Sequence, residues 1–272
     1  MPILHLAILA LIQGVTEFLP ISSSGHLVLV PSLLGWPDQG LVMDVAVHVG
    51  TLGAVMLYFW RDMAVMAGGV WRLIKSGGGA RRDPGVRLAG LVVLASLPVL
   101  VAGFFMNAYW ADQLRDMTVI GWTMLGFGVL LWVADQIGMT VRRIDHFGVG
   151  DVMIIGLAQV LALVPGTSRS GITMTAARIL GVERHEAARF SMLLSIPTIF
   201  GAGVLKGIEL YRTGDVALTS DAALAALLAF LSALVAIAIL MAWLKRASFT
   251  PFVIYRILLG AGLLALSYGW FA

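Results

Sequence analysis

Ten apolar runs, separated by polar stretches, account for about two-thirds of the 272 residues. Crossing a bilayer as a helix takes about 20 such residues. Six runs reach that length, at 41–60, 87–106, 117–138, 188–210, 222–244 and 251–271. Four fall short, at 3–19, 26–36, 151–164 and 171–181, and these come as two pairs. A small-residue polar cluster interrupts each pair, ISSSGH at 21–26 and PGTSRSG at 165–171. Half-length helices joined by irregular backbone predict re-entrant pairs, tolerated at membrane depth only where protein or a water-filled cavity covers them. The pattern predicts an all-α integral membrane fold of six full transmembrane helices plus two re-entrant helix-loop-helix pairs. Eight to ten simple spans, the short ones tilted or thinning the bilayer, are the competing arrangement.

Loop charge gives the orientation. Basic residues gather at 61–87 (Arg61, Arg72, Lys75, Arg81, Arg82, Arg87), at Arg142 and Arg143, at Arg184 and Arg189, and at Lys245-Arg246. By contrast, 107–116 sets Arg115 against Asp112 and Asp116, and 211–221 sets Arg212 against Asp215 and Asp221. The positive-inside rule places the first group in the cytoplasm and the second outside. Alternation then works only if each short pair returns to the side it entered, 3–36 from outside and 151–181 from the cytoplasm. The chain reads as a single membrane domain, 1–272, in two halves of about 1–138 and 151–272 that repeat one order of elements. Opposite entry makes this an inverted-topology repeat, whose broken helices meet near the midplane to form a site.

Composition agrees and narrows the chemistry. The chain is 60% apolar and only 12% charged, too oily for a soluble fold of this size. The net charge of +3 follows loop topology, and no nucleic-acid binding is expected. Cysteine is absent, which excludes disulfides, thiolate metal sites and cysteine nucleophiles. The 31 glycines suit close helix packing and broken helices, and their faces could pack within one protomer or across a homodimer. The first apolar run lacks the basic start of a signal peptide and is expected to be retained.

Polar residues within apolar runs are costly and mark function. Gln13 and Glu17, four apart, share a helix face. Pro20 ends that helix, and Ser22, Ser23, Ser24, Gly25 and His26 open the next. In the second cluster Arg169 sits among Thr167, Ser168 and Ser170. A guanidinium fork and two half-helix N-termini converging at one depth read as a phosphate or diphosphate cradle. An Arg169–Glu17 structural pair, and serines that serve only as helix caps, are the plainer readings. Serine needs a base to become a nucleophile, and His26 is the available one. Glu17 would meet either Arg169 or a divalent cation such as Mg²⁺. Asp44, with His48 a turn later, either joins the site or faces outer water. Asp135, Asp151, Lys206 and Glu209 are expected at the interface, and Arg178 and Arg256 are expected to snorkel.

The pairing of QGVTEFLPISSSGH (13–26) with PGTSRSG, together with FWR at 59–61 and DVAVHVGTLGAV at 44–55, resembles the undecaprenyl-diphosphatase family of bacteria, known for bacitracin resistance. The resemblance runs through most of the chain. It implies hydrolysis of undecaprenyl diphosphate to the monophosphate carrier, recycled for peptidoglycan synthesis, with Mg²⁺ or Ca²⁺ required. It further implies the bacterial inner membrane, a site open to the periplasm, and bacitracin competing for the substrate rather than binding the protein. The family's (E/Q)-x-x-x-E motif falls on Gln13 and Glu17, its serine–histidine segment on Ser22, Ser23, Ser24 and His26, and its arginine motif on Arg169. By the resemblance Ser23 is the nucleophile and His26 the acid/base, although which of the two carries a covalent phosphoryl group stays open. Gln13 replaces the first glutamate of many members, leaving Glu17 as the main metal ligand.

A partial likeness to phosphatidic-acid-type phosphatases fails, because Thr175 stands where their nucleophilic histidine is needed. The competing function is a polyprenyl-phosphate transporter or flippase using the same midplane site. Transport needs only a binding site, so the nucleophile-and-base set favours hydrolysis.

Overall fold

The computed structural model describes residues 2–36, 40–109, 116–213 and 220–270. The expected outer-loop charges Asp112, Arg115 and Asp215 lie outside them. Eleven α-helices are formed among the described residues: α1 (Ile3–Phe18), α2 (Ser23–Leu34), α3 (Gly40–Tyr58), α4 (Trp60–Lys75), α5 (Pro84–Tyr109), α6 (Met117–Ile137), α7 (Val149–Val160), α8 (Arg169–Ile179), α9 (Arg184–Thr213), α10 (Ser220–Trp243) and α11 (Thr250–Ser267). Six of them, α3, α5, α6, α9, α10 and α11, are long and apolar enough to cross a membrane. They coincide with the six long apolar runs.

Local chemistry sets the ends. Pro20 follows α1, whose C-cap Leu19 is already extended. The Asp116 side chain accepts the N–H groups of Thr118 and Val119 and so starts α6. Gly35, in the left-handed region at φ 63°, closes α2.

One element departs from the expectation. The charged stretch after Arg61, read as part of a connection, forms α4, which doubles back against α5. Its charges lie among exposed Trp60, Val65, Trp71 and Ile74, an amphipathic pattern that suits a helix lying along an interface. Between it and α5, Arg72 Nε donates to Asp83 Oδ2 at 2.8 Å, while Asp83 Oδ1 accepts the Gly85 N–H at 2.8 Å.

The packing partners repeat between the halves. Helix α1 packs on α10 as α7 packs on α5, and α3 packs on α10 as α9 packs on α5. Helices α3 and α9 pack on each other, as do α6 and α11. The first two contacts are equally close: a Cβ on Gly14 would fall 2.5 Å from Ala229 O, and one on Gly156 would fall 2.5 Å from Ala95 O. Only glycine admits the facing backbone there.

The two short pairs differ in enclosure. Every α8 residue from Ser170 to Arg178 is buried beneath α6, α7 and α9. Helix α2 ends with Leu33 and Leu34 exposed.

Candidate active site

The site is assembled where α1 turns into α2 and the chain before α8 turns into α8. Ser22 and Ser168 occupy the matching corners, with φ 71° and 70°. They are the only non-glycine residues at positive φ among those described. That backbone costs an L-residue roughly 1–2 kcal/mol. Side-chain bonds hold it in place: Ser22 Oγ accepts the Gly25 N–H at 3.4 Å, and Ser168 Oγ accepts that of Gly171 at 3.1 Å. Ser24 and Ser170 lie beside the caps at 3.4 and 3.2 Å.

The two corners are tied to each other. Ser170 Oγ donates to Leu19 O at 2.9 Å, and Thr123 Oγ1 to Pro165 O at 2.7 Å. Arg256, on α11, supplies the main tie. Its guanidinium donates to Pro20 O in the first corner at 3.3 Å, and to Gly166 O and Thr167 O in the second at 3.0 and 2.9 Å. It also reaches Met124 O on α6 at 3.2 Å. Arg256 therefore does not snorkel. It is wholly buried, because open carbonyls of two irregular segments supply acceptors that lipid cannot. Arg178 is likewise buried rather than snorkelling. It bonds Asp135 Oδ1 at 3.1 Å and Gly138 O at 2.7 Å, and also the carbonyl of Val182. Asp135 is accordingly interior, with Arg184 on the same oxygen at 2.7 Å.

At the centre Ser23 Oγ donates to Glu17 Oε2 at 2.7 Å, and Gln13 Nε2 donates to the same oxygen at 2.9 Å. The other carboxylate oxygen, Oε1, faces Arg169 Nη2 at 3.7 Å. That is an ion pair too long to be a hydrogen bond. Arg169 is anchored through Nη1 to Ser191 O at 3.0 Å, and Ser191 Oγ meets Thr173 Oγ1 at 2.7 Å. The remaining guanidinium nitrogens, Nε and Nη2, have no hydrogen-bond partner although they are buried, and neither have Gln13 Oε1 and Thr167 Oγ1. Buried polar atoms normally find partners. Two donors and two oxygens left open around one carboxylate and one serine describe a site prepared for a polar ligand.

His26 is engaged elsewhere. Its Nδ1 lies 2.7 Å from Ser22 O, so Nδ1 carries the proton, and a neutral ring then accepts the Tyr255 O–H at Nε2 over 2.6 Å. The structure thus brings Ser23 to Glu17 and not to His26. Asp44 pairs with Lys206 Nζ at 2.9 Å. Tyr255, Ser191 and the linking role of Arg256 were not foreseen. The one available signal was a Tyr-Arg pair inside an otherwise apolar span.

Among the described residues no three or more His, Asp or Glu side chains come together to hold a metal. Glu17 Oε1 and the unpartnered Gln13 Oε1 are hard oxygen donors beside Ser23. They fit a cation such as Mg²⁺ that takes one carboxylate and completes its shell with substrate phosphates and water.

Residues 6–262 match the family model of bacitracin resistance protein BacA. A protein of Rhodospirillum rubrum named undecaprenyl-diphosphatase 1 is 56% identical, over 98% of this chain and 96% of its own. Undecaprenyl-diphosphatases of Jannaschia sp. and Hahella chejuensis are each 52% identical, over 98% and 97% of this chain and 100% and 98% of theirs. With the family match covering both corners and the relatives covering nearly the whole chain, the chain belongs to the BacA family of bacitracin resistance proteins.

Proposed function

We propose that the protein hydrolyses undecaprenyl diphosphate to undecaprenyl phosphate and phosphate, returning the lipid carrier to peptidoglycan synthesis and thereby conferring bacitracin resistance. The observation that carries this reading is the 2.7 Å Ser23–Glu17 bond beside an arginine with unpartnered donors. Glu17 Oε2 takes the Ser23 proton as the serine oxygen attacks the terminal phosphorus. The bond to the bridging oxygen breaks and undecaprenyl phosphate leaves. The Glu17 carboxyl passes its proton to the bridging oxygen of the departing undecaprenyl phosphate. Restored as a carboxylate, it takes a proton from the water that attacks phosphoserine, and that proton returns to Ser23 Oγ as phosphate leaves. Arg169 Nε and Nη2 bind the phosphoryl oxygens as charge spreads over them, which is most of what phosphoryl transfer asks of a protein. His26, bonded to Ser22 O, and Tyr255 behind it hold the corner that aims Ser23. A hard cation held by Glu17 and Gln13 would neutralise further phosphate charge.

The lipid tail has a place to lie. An apolar groove of about 450 Å³ runs between α1, α10 and α11, lined by Val15, Leu19, Leu231, Val235, Ile239 and Phe252. Leu19 belongs to both parts, since its side chain lines the groove while its carbonyl accepts Ser170. The basic ends of α4, α9 and α10 support a cytoplasmic side for that end of the bundle in the bacterial inner membrane. The less enclosed α2 corner then opens to the periplasm. Bacitracin competes for the substrate there rather than binding the protein.

The test is orthophosphate release from a C55 or C15 isoprenyl diphosphate by the purified protein in detergent with Mg²⁺. Undiminished release by both Ser23→Ala and Arg169→Ala would sink the reading. The interchangeable packing of the halves also suits alternating access, which favours headgroup transport as a second reading. Transport that survives Ser23→Ala in vesicles would establish it.

A further inference from the structure

We propose a second anion site, separate from the Ser23–Arg169 cluster, where the ends of α6, α9 and α10 meet. Its ligand is a phosphate-bearing anion, either the headgroup of an anionic phospholipid or a soluble phosphate. A cavity of about 390 Å³ opens there, lined by Thr140, Glu183, Arg184, His185, Lys245 and Arg246. Several arginines on this face are matched to carboxylates, Arg142 to Asp151 at 2.7 Å, Arg143 to Glu183 at 3.1 Å, and Arg189 to Asp62 and Glu186, whereas Arg61, Arg81, Arg82 and Arg87 have no carboxylate partner among the described residues and do not line this cavity.

The cavity is not balanced in this way. Lys245 and Arg246 are exposed, and among the described residues neither side chain has an ion pair or hydrogen bond. Arg184 shares the single carboxylate of Asp135 with Arg178, which leaves one of those two charges uncompensated. Glu183, the acid among the described residues of the wall, is committed to Arg143. Topology alone would put cations on this face, but it does not gather unmatched ones around a hollow. Arg184 is also the first residue of the thirty-residue α9, whose positive dipole end adds to the field. Guanidinium and ammonium groups with a hydroxyl, at the mouth of a helix bundle, are the donors that recognise phosphate. Partly exposed Trp243 and exposed Met139 and Val141 adjoin the lining residues in sequence, apolar surface on which acyl chains could rest.

The test uses the full chain and Lys245→Gln/Arg246→Gln, with Arg81→Gln/Arg82→Gln as a control removing equal charge from the α4–α5 connection. Orthophosphate release near the wild-type rate shows that each variant is folded. The probes are phosphatidylglycerol retained from mixed phosphatidylcholine nanodiscs, read by native mass spectrometry, and the melting shift caused by inorganic phosphate. A several-fold loss of retained phosphatidylglycerol in the 245/246 variant alone identifies a lipid headgroup. A smaller phosphate-induced shift in that variant alone, with lipid retention unchanged, identifies a soluble anion. Equal behaviour of the 245/246 variant and wild type on both probes overturns the site. So does an equal loss in the 81/82 control, which would mean general surface charge.

Discussion

Ser22 and Ser168 hold the same left-handed backbone in the two halves of the chain, and each caps the helix that follows through the glycine three residues on. The cap and the backbone angle are coupled demands, so few residues satisfy both. Ser168→Ala should lose the cap and keep the strain, costing about 1–2 kcal/mol. Ser168→Asn, which tolerates this region and caps well, should cost less than half of that. Melting temperatures in detergent check the order, and a reversed order would refute the coupling.

Glu17→Gln preserves the size of the acceptor at Ser23 but not its basicity. It should lower kcat by about 10²–10⁴-fold, the usual contribution of a general base, and change KM little. His26→Gln should act through the Ser22 corner, giving a smaller loss accompanied by a lower melting temperature. Steady-state orthophosphate release separates the two. A His26→Gln loss as deep as that of Glu17→Gln, without destabilisation, would transfer the base role to His26.

Removing Arg256 exposes carbonyls of both corners at once. Arg256→Leu should destabilise by about 3 kcal/mol or more, because acceptors in a dry interior are left unsatisfied. Arg256→Lys keeps the charge but lacks the fork, and it should recover part of the stability. Equal melting temperatures for Leu and the wild type would show the bonds to be dispensable.

How much of this was legible depended on whether the signal was local. Pro20 stands just past α1, and Pro165 follows the short 3-10 turn that closes α7, so all ten apolar elements could be read directly. Glu17 and Arg169 stood out because charges are scarce in apolar runs. Helix α4 was hidden because its charges resemble those of a loop until Trp60, Trp71 and Ile74 are placed on the same turns. The partner of His26 was hidden because Tyr255 comes from the far end of the chain. Nearness to Ser23 in sequence suggested a contact that the cap geometry turns away. The groove could not be chosen either, since apolar residues are too abundant to single out Val235.

That groove gives a prediction of chain-length preference. Val235→Trp should fill it and cut kcat/KM for the C55 diphosphate by roughly 10-fold, a blocked apolar contact of about 1.4 kcal/mol, while sparing a C15 substrate. Parallel assays of the two substrates check this. Equal losses on both would place the tail elsewhere.

Asp83 supplies a pH dependence outside the membrane. Its hydrogen bond from Arg72 holds the carboxyl below the usual carboxylate range. A lowered folded-state value stabilises the α4–α5 connection above the unfolded pKa, and that stability is lost as the pH falls from about 4 through the lower folded value. Melting curves between about pH 6 and pH 3 should converge for wild type and Asp83→Asn at the acid end. A constant gap would exclude the linkage.

The matched corners put Ser23 and Arg169 at the same place in their respective repeats, each the first residue after the capping serine. Under the proposed mechanism one corner therefore supplies the attacking oxygen and the other the guanidinium. A pairing of two identical first halves would have two nucleophiles and no cation, and a pairing of two second halves the reverse. Under that mechanism the two corners are not interchangeable, and neither Ser23→Arg nor Arg169→Ser would keep the reaction.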